Sequence, residues 1–268
     1  MTPARLTVNN LSYHVELAGD GPPLLLLHGF TGGAASWAHL TPTLARRHRV
    51  IAPDLIGHGA TSAPPEAERY RMEACVADLL ALLDALDAPR AAVYGYSMGG
   101  RVALSLAAAA PERVTRLVLE SASPGLADPA ERAARRAADD ALADAIERDG
   151  VEAFVERWVA LPLFASQAAL PEETRARQRE HRLASTARGL AGSLRGMGTG
   201  VMPPLWDRLP ELDVPTLLLA GALDDKFCAI ARSMAGLLPD ARLEIVPSSG
   251  HAVHLERPDA VMDAILGS

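Results

Sequence analysis

With 268 residues, the chain is long enough to bury a large core as a single domain carrying one modest insertion. Its 49% hydrophobic and 22% charged residues exclude disordered and low-complexity classes, and a formal net charge of −7 argues against nucleic acid, whose phosphates must be neutralised by Lys and Arg. The two cysteines, Cys75 and Cys228, lack the paired spacing of a zinc site or redox motif and are expected as buried thiols.

Met1 to Asn10 contains Arg5 and no apolar stretch of signal-peptide type, and no later run approaches a membrane span, so a cytoplasmic location with no membrane partner is expected. Leu6 to Val8 and Tyr13 to Leu17 flank Asn9-Asn10 and are predicted as a hairpin leading into a sheet. Short apolar runs follow at Leu24 to Leu27, Val50 to Ala52, Ala91 to Tyr94, Leu117 to Leu119, Thr216 to Ala220 and Leu243 to Val246. They are apolar throughout rather than alternating, as strands covered on both faces must be, and the lengths between them suit βαβ crossovers. An α/β fold with a mostly parallel central sheet flanked by helices is therefore expected. After about Ser123 the alternation breaks. Pro129 to Trp158 and Pro171 to Leu194 carry helical spacing, many charges and no strand, which predicts a helical cap over about 124–210 inserted in a single domain, 1–268.

Gly95-Tyr96-Ser97-Met98-Gly99 matches G-x-S-x-G, a strained strand-to-helix turn that lifts a serine hydroxyl above a sheet. It follows an apolar strand and precedes the Ala/Leu-rich helical run Arg101 to Ala110, the setting that the motif requires. A serine hydroxyl needs an imidazole to take its proton, and the imidazole needs an acid to hold its tautomer. In this α/β-hydrolase pattern the acid and then the histidine lie downstream. Asp224, on the loop after Thr216 to Ala220, is the preferred acid, with adjacent Asp225 the alternative and the other aspartate left to cap the next helix. His251, in Ser248-Ser249-Gly250-His251, is the preferred base, with His254 competing but better suited to packing or capping. The backbone N–H groups of Phe30 and Met98 occupy the places of the two oxyanion donors. His28 is expected to brace its loop, and Asp54 to Gly59 to form a tight turn.

The scaffold alone does not name a reaction. The cap contains Arg132, Arg135, Arg136, Arg148, Arg157, Arg175, Arg177, Arg179, Arg182, Arg188 and Arg195, most of which are expected on solvated helix faces. Arg101 is more informative, because four residues beyond Ser97 its side chain can reach an anion held beside the serine.

Leu27-His28-Gly29-Phe30-Thr31-Gly32, Asp54-Leu55-Ile56-Gly57-His58-Gly59, Gly95-Tyr96-Ser97-Met98-Gly99-Gly100-Arg101 and Ser193-Leu194-Arg195-Gly196-Met197-Gly198-Thr199-Gly200 together resemble the 2-succinyl-6-hydroxy-2,4-cyclohexadiene-1-carboxylate synthases of menaquinone biosynthesis. The resemblance runs from about Leu24 to Pro258. It implies an α/β-hydrolase-fold lyase that removes pyruvate from 2-succinyl-5-enolpyruvyl-6-hydroxy-3-cyclohexene-1-carboxylate, a small-molecule tricarboxylate, with no cofactor and no metal. It further implies that Arg101, Arg135 and Arg182 bind substrate carboxylates and that Tyr96 and Trp158 line the pocket. Ser97, served by His251 and Asp224, would then be a base rather than an acylated nucleophile. The chain departs from the family at Ser185-Thr186, where asparagines are expected. A carboxylesterase or carbon–carbon bond hydrolase with Ser97 as covalent nucleophile is the alternative enzyme, and a silent ligand-binding protein would leave the ordered serine, acid and histidine unexplained. Oligomeric state is not encoded legibly, and a monomer is the simplest expectation.

Overall fold

The structure, a computed structural model, describes residues 1–266. β1 (Thr2–Val8) and β2 (Leu11–Ala18) form the hairpin. Asn9 and Asn10 turn it at φ 47° and 64°, the left-handed pair that a two-residue hairpin turn needs and that asparagine tolerates. Buried Asp78 ties the hairpin to the body, accepting hydrogen bonds at 2.8 Å from both Asn9 Nδ2 and the Tyr13 hydroxyl.

The six apolar runs become β3 (Pro23–Leu27), β4 (Arg49–Pro53), β5 (Ala91–Tyr96), β6 (Val114–Glu120), β7 (Thr216–Gly221) and β8 (Ala241–Val246). They join the hairpin in one sheet of order β1-β2-β4-β3-β5-β6-β7-β8, in which β2 pairs antiparallel with β4 and β3 to β8 run parallel.

Helices α1 (Thr41–Leu44), α2 (Met72–Ala85), α3 (Met98–Ala109), α4 (Pro129–Val159), α5 (Glu172–Leu183), α6 (Ala187–Met197), α7 (Asp225–Ala235), α8 (Val253–Glu256) and α9 (Pro258–Leu266) accompany the strands, with short 3₁₀ segments between them. Successive strand residues point to opposite faces, so β3 divides its leucines. Leu25 and Leu27 pack with Leu79, Leu83, Val102 and Met234 of α2, α3 and α7, whereas Leu24 and Leu26 pack with Trp37, Leu44, Val261 and Ile265 on the other face. Each fully buried leucine contributes about 1.5–3 kcal/mol of transfer free energy, which is why these strands have no polar alternation.

α4, α5 and α6 lie between β6 and β7. Asp128 starts α4 by accepting N–H bonds from Ala130 and Glu131, both at 2.8 Å, with Pro129 at the first helical position. Gly150, at φ 86°, breaks the long run into two helical segments. Ala143, Ile146, Phe154, Leu190 and Leu194 from α4 and α6 form a separate apolar cluster. α5 buries no residue, as its Arg- and Glu-rich sequence requires. At the family departure, Thr186 caps α6 through Gly189 N–H at 3.1 Å and Ser185 Oγ accepts Gly59 N–H at 3.2 Å. Among the described residues no helix is long and apolar enough to cross a membrane.

Candidate active site

The carboxyl edge of the sheet gathers the chemistry. β5 ends at Tyr96, and Ser97 takes φ 53° and ψ −109° before Met98 opens α3. That backbone is strained by about 1–3 kcal/mol and persists because its surroundings permit nothing else. Ser97 N–H donates to Glu120 O at 2.8 Å, and a Cβ on Gly99 would overlap the Leu27 carbonyl.

Asp224 follows β7 and His251 follows β8. His251 Nδ1 donates to Asp224 Oδ2 at 2.7 Å, which leaves Nε2 to accept from Ser97 Oγ at 3.0 Å. His251 and Asp224 are buried, while Ser97 is partly open to a cavity. Asp224 also accepts Phe227 N–H at 3.2 Å and so caps α7. Asp225 was expected to take that cap but is exposed one residue inside the helix, because Asp224 carries both contacts on separate carboxylate oxygens.

His254 faces another partner. Its Nδ1 and its backbone N–H donate to Glu120 Oε1 at 2.9 and 3.1 Å, and the Tyr94 hydroxyl donates to Glu120 Oε2. Burial acts to raise the Glu120 carboxyl, but His254 and Tyr94 outweigh it and hold the group below the usual carboxylate range. The Tyr96 ring lies between the two imidazoles, 5.4 Å from His251 and 4.6 Å from His254. Sequence reasoning missed Glu120. Its signal was an acid closing the apolar run Leu117-Val118-Leu119 at the catalytic edge of the sheet.

Phe30 stands on the loop after β3. Among the described residues, neither the Phe30 nor the Met98 N–H has an acceptor, and both residues line the cavity. The loop is held from behind. His28 Nδ1 donates to Gly29 O at 2.8 Å and its Nε2 accepts Leu55 N–H at 2.9 Å, while Asp54 accepts Ala34 N–H at 2.6 Å and Ala60 N–H at 2.8 Å. Burial pushes His28 down to about 4 and, with His28 beside it, His58 down to about 3. The unfolded chain protonates these imidazoles near pH 6.5 and the folded chain does not, so stability falls as pH drops from 6.5 toward 4. Urea unfolding across that window is expected to lose several kcal/mol; a flat profile would show that both sites accept the charge without cost.

A cavity of about 900 Å³ opens over Ser97 and collects Arg101, Arg135, Arg182, Tyr96 and Trp158 on its walls. Arg101 donates to Met197 O at 2.6 Å, and burial, with Arg135 adding, lowers its guanidinium to about 10, still charged at neutral pH. Arg135 is more open and reaches Asp139 at 2.8 Å. The Gly198-containing loop reaches α4 at Gly200, where a Cβ would meet Arg136 N and Arg132 O, so the glycine-rich signature joins α6 to the arginine-bearing turn. The Arg182 guanidinium lies 5.5 Å from the Phe164 ring centre, and Trp158 meets Phe30 edge-on and Phe154 at a tilt, each at 5.4 Å. Burial lowers Arg182 and raises Tyr96 well above its ordinary value, which keeps the phenol neutral. Arg148, Arg157, Arg179 and Arg195 instead pair with Asp or Glu on exposed helix faces. Among the described residues no group of three or more His, Cys, Asp or Glu is placed to hold a metal.

A family profile described as alpha/beta hydrolase fold matches residues 22–258. A Bacillus subtilis (strain 168) protein provisionally named 2-succinyl-6-hydroxy-2,4-cyclohexadiene-1-carboxylate synthase is 48% identical over 246 residues, spanning 90% of this chain and 89% of that one. The synthase of that name from Salmonella heidelberg (strain SL476) is 31% identical over 255 residues, spanning 94% and 95%. The solved structure of MenH from S. aureus superposes with a TM-score of 0.90 at 38% identity, covering 95% of this chain and 96% of that one. The chain belongs to the alpha/beta hydrolase fold family and, within it, to the 2-succinyl-6-hydroxy-2,4-cyclohexadiene-1-carboxylate synthases.

Proposed function

We propose that the protein eliminates pyruvate from 2-succinyl-5-enolpyruvyl-6-hydroxy-3-cyclohexene-1-carboxylate to give 2-succinyl-6-hydroxy-2,4-cyclohexadiene-1-carboxylate, a carbon–oxygen lyase step of menaquinone biosynthesis. One observation carries the reading: Ser97 and His251, with Asp224 bonded behind the imidazole, line the same cavity as the three predicted arginines. An esterase of neutral substrates has no use for such a cationic wall, whereas a tricarboxylate needs it.

In this mechanism His251, held in its tautomer by Asp224, draws the Ser97 proton, and Ser97 removes the hydrogen α to the succinyl ketone. The Phe30 and Met98 N–H groups stabilise the enolate oxygen. The electron pair moves through the ring double bond and expels enolpyruvate from the adjacent C–O bond; the ring gains its second double bond and enolpyruvate tautomerises to pyruvate. Arg101, Arg135 and Arg182 hold the carboxylates, and Tyr96 and Trp158 shape the walls. The helices between β6 and β7 act as a cap on a single domain, closing the cavity from above. The protein works in the cytoplasm, as a monomer, on this small molecule.

Arg101→Ala is expected to lower kcat/KM for pyruvate release by about 100-fold or more, since a charge-assisted contact of roughly 3 kcal/mol is lost. Wild-type activity in Arg101→Ala would remove the anion clamp from the mechanism.

A further inference from the structure

Residues that carry a buried polar atom without a partner gather on one cavity wall. Trp158 Nε1, Gln167 Nε2 and His181 Nδ1 have no hydrogen-bond partner among the described residues, and all three residues line the cavity over Ser97. An unsatisfied buried donor costs about 1–3 kcal/mol, so folded chains retain few of them. Donors that persist on a cavity wall are those that a ligand completes.

Gln167 is the sharpest case. It is 8% exposed, and its side-chain amide bonds to nothing among the described residues. It sits on the 3₁₀ segment Pro162–Ala169, three residues after Phe164, a spacing that places the two on one face of such a helix. Around Phe164 are the Arg182 guanidinium at 5.5 Å, the Trp158 ring at 5.8 Å and the His251 ring at 6.2 Å. Arg182 also lacks an acceptor among the described residues. Arg101 and Arg135, by contrast, are engaged with Met197 O and Asp139.

We infer that Gln167 is a specificity-determining residue whose amide N–H donates to one substrate carboxylate, the one that Arg182 holds, with Trp158 Nε1 as the third donor. Arg101 and Arg135 serve a different carboxylate. The inference rests on the tricarboxylate reading and adds to it a neutral donor that family resemblance did not supply. A neutral amide suits this position, because it adds a hydrogen bond beside buried Arg182 without a second desolvated charge.

The test is the Kd of the enolpyruvyl tricarboxylate for Ser97→Ala protein, with and without Gln167→Leu, Gln167→Met and Gln167→Glu. Leu and Met are expected to weaken binding about 10-fold, the value of one hydrogen bond to a charged group, and Glu by about 100-fold through repulsion. In the otherwise wild-type enzyme Gln167→Leu raises KM by the same factor and leaves kcat within about twofold, a split that a loosened fold would not produce. Unchanged Kd in both Leu and Met variants, or no binding by Ser97→Ala protein, overturns the inference. Pyruvate release by wild type, followed in parallel, tests the elimination separately.

Discussion

Ser97→Ala is expected to lower kcat for pyruvate release by about 10⁴-fold, with KM changed by no more than a few-fold. The hydroxyl lies on the cavity wall at 3.0 Å from His251 Nε2, and alanine removes the group that the imidazole serves. Binding survives because Arg101, Arg135 and Arg182 are untouched. His251→Ala should cost a similar factor, and the double variant little more, because the residues act as one relay. Asp224→Asn is the informative companion. It preserves shape but can present an N–H to Nδ1, reversing the imidazole tautomer, and it retains only one good acceptor for the contacts to His251 and Phe227 N–H. Intact-mass measurement during turnover is expected to find Ser97 unmodified. An acyl or ketal adduct would instead move the chain to the covalent chemistry of esterases and carbon–carbon bond hydrolases.

Glu120→Ala is expected to lower folding stability by about 3–5 kcal/mol. The carboxylate accepts from the His254 ring, the His254 backbone and the Tyr94 hydroxyl in a site without solvent, so its removal strands three donors at once. Glu120→Gln keeps the shape and one carbonyl acceptor and should cost about half as much. The same carboxylate anchors His254, whose ring packs at a tilt against Tyr96, itself the neighbour of Ser97 in the elbow. Activity in Glu120→Gln is therefore expected to fall more steeply with temperature than in wild type. Denaturant titration with loss under 1 kcal/mol for Glu120→Ala would mean that water enters and satisfies the stranded groups.

Much of the fold was legible because its signals are local. Leu24 to Leu27 is apolar at every position, which only a strand covered on both faces requires, and Asn9-Asn10 tolerates the left-handed turn between two short strands. The elbow announced itself through glycines that sterics demand around Ser97. The division of labour between Asp224 and Asp225 was less legible, since neighbouring carboxylates differ only in where the helix starts. Asp224 sits at the cap, facing back over the sheet toward His251, and Asp225 has already turned outward. Glu120 was hidden for a different reason. Its meaning depends on Tyr94 and His254, which are distant in the chain and meet only when β5, β6 and α8 assemble. Gln167 lay in a stretch with no strong periodicity, and nothing in Pro162 to Ala169 distinguished a pocket wall from a surface turn. The arginines show the same limit from the other side. Composition made the insert rich in arginine, with as many acids to pair them, and only packing separates Arg182 on the cavity wall from Arg179, which pairs with Glu152 on the outside.

The most direct measurement follows pyruvate and diene absorbance together in one reaction of the wild-type protein with 2-succinyl-5-enolpyruvyl-6-hydroxy-3-cyclohexene-1-carboxylate. Elimination at this site gives the two products at equal rates, one for one, with both signals lost in Ser97→Ala. Folded wild-type protein that releases no pyruvate, or pyruvate release that persists undiminished in Ser97→Ala, would contradict it.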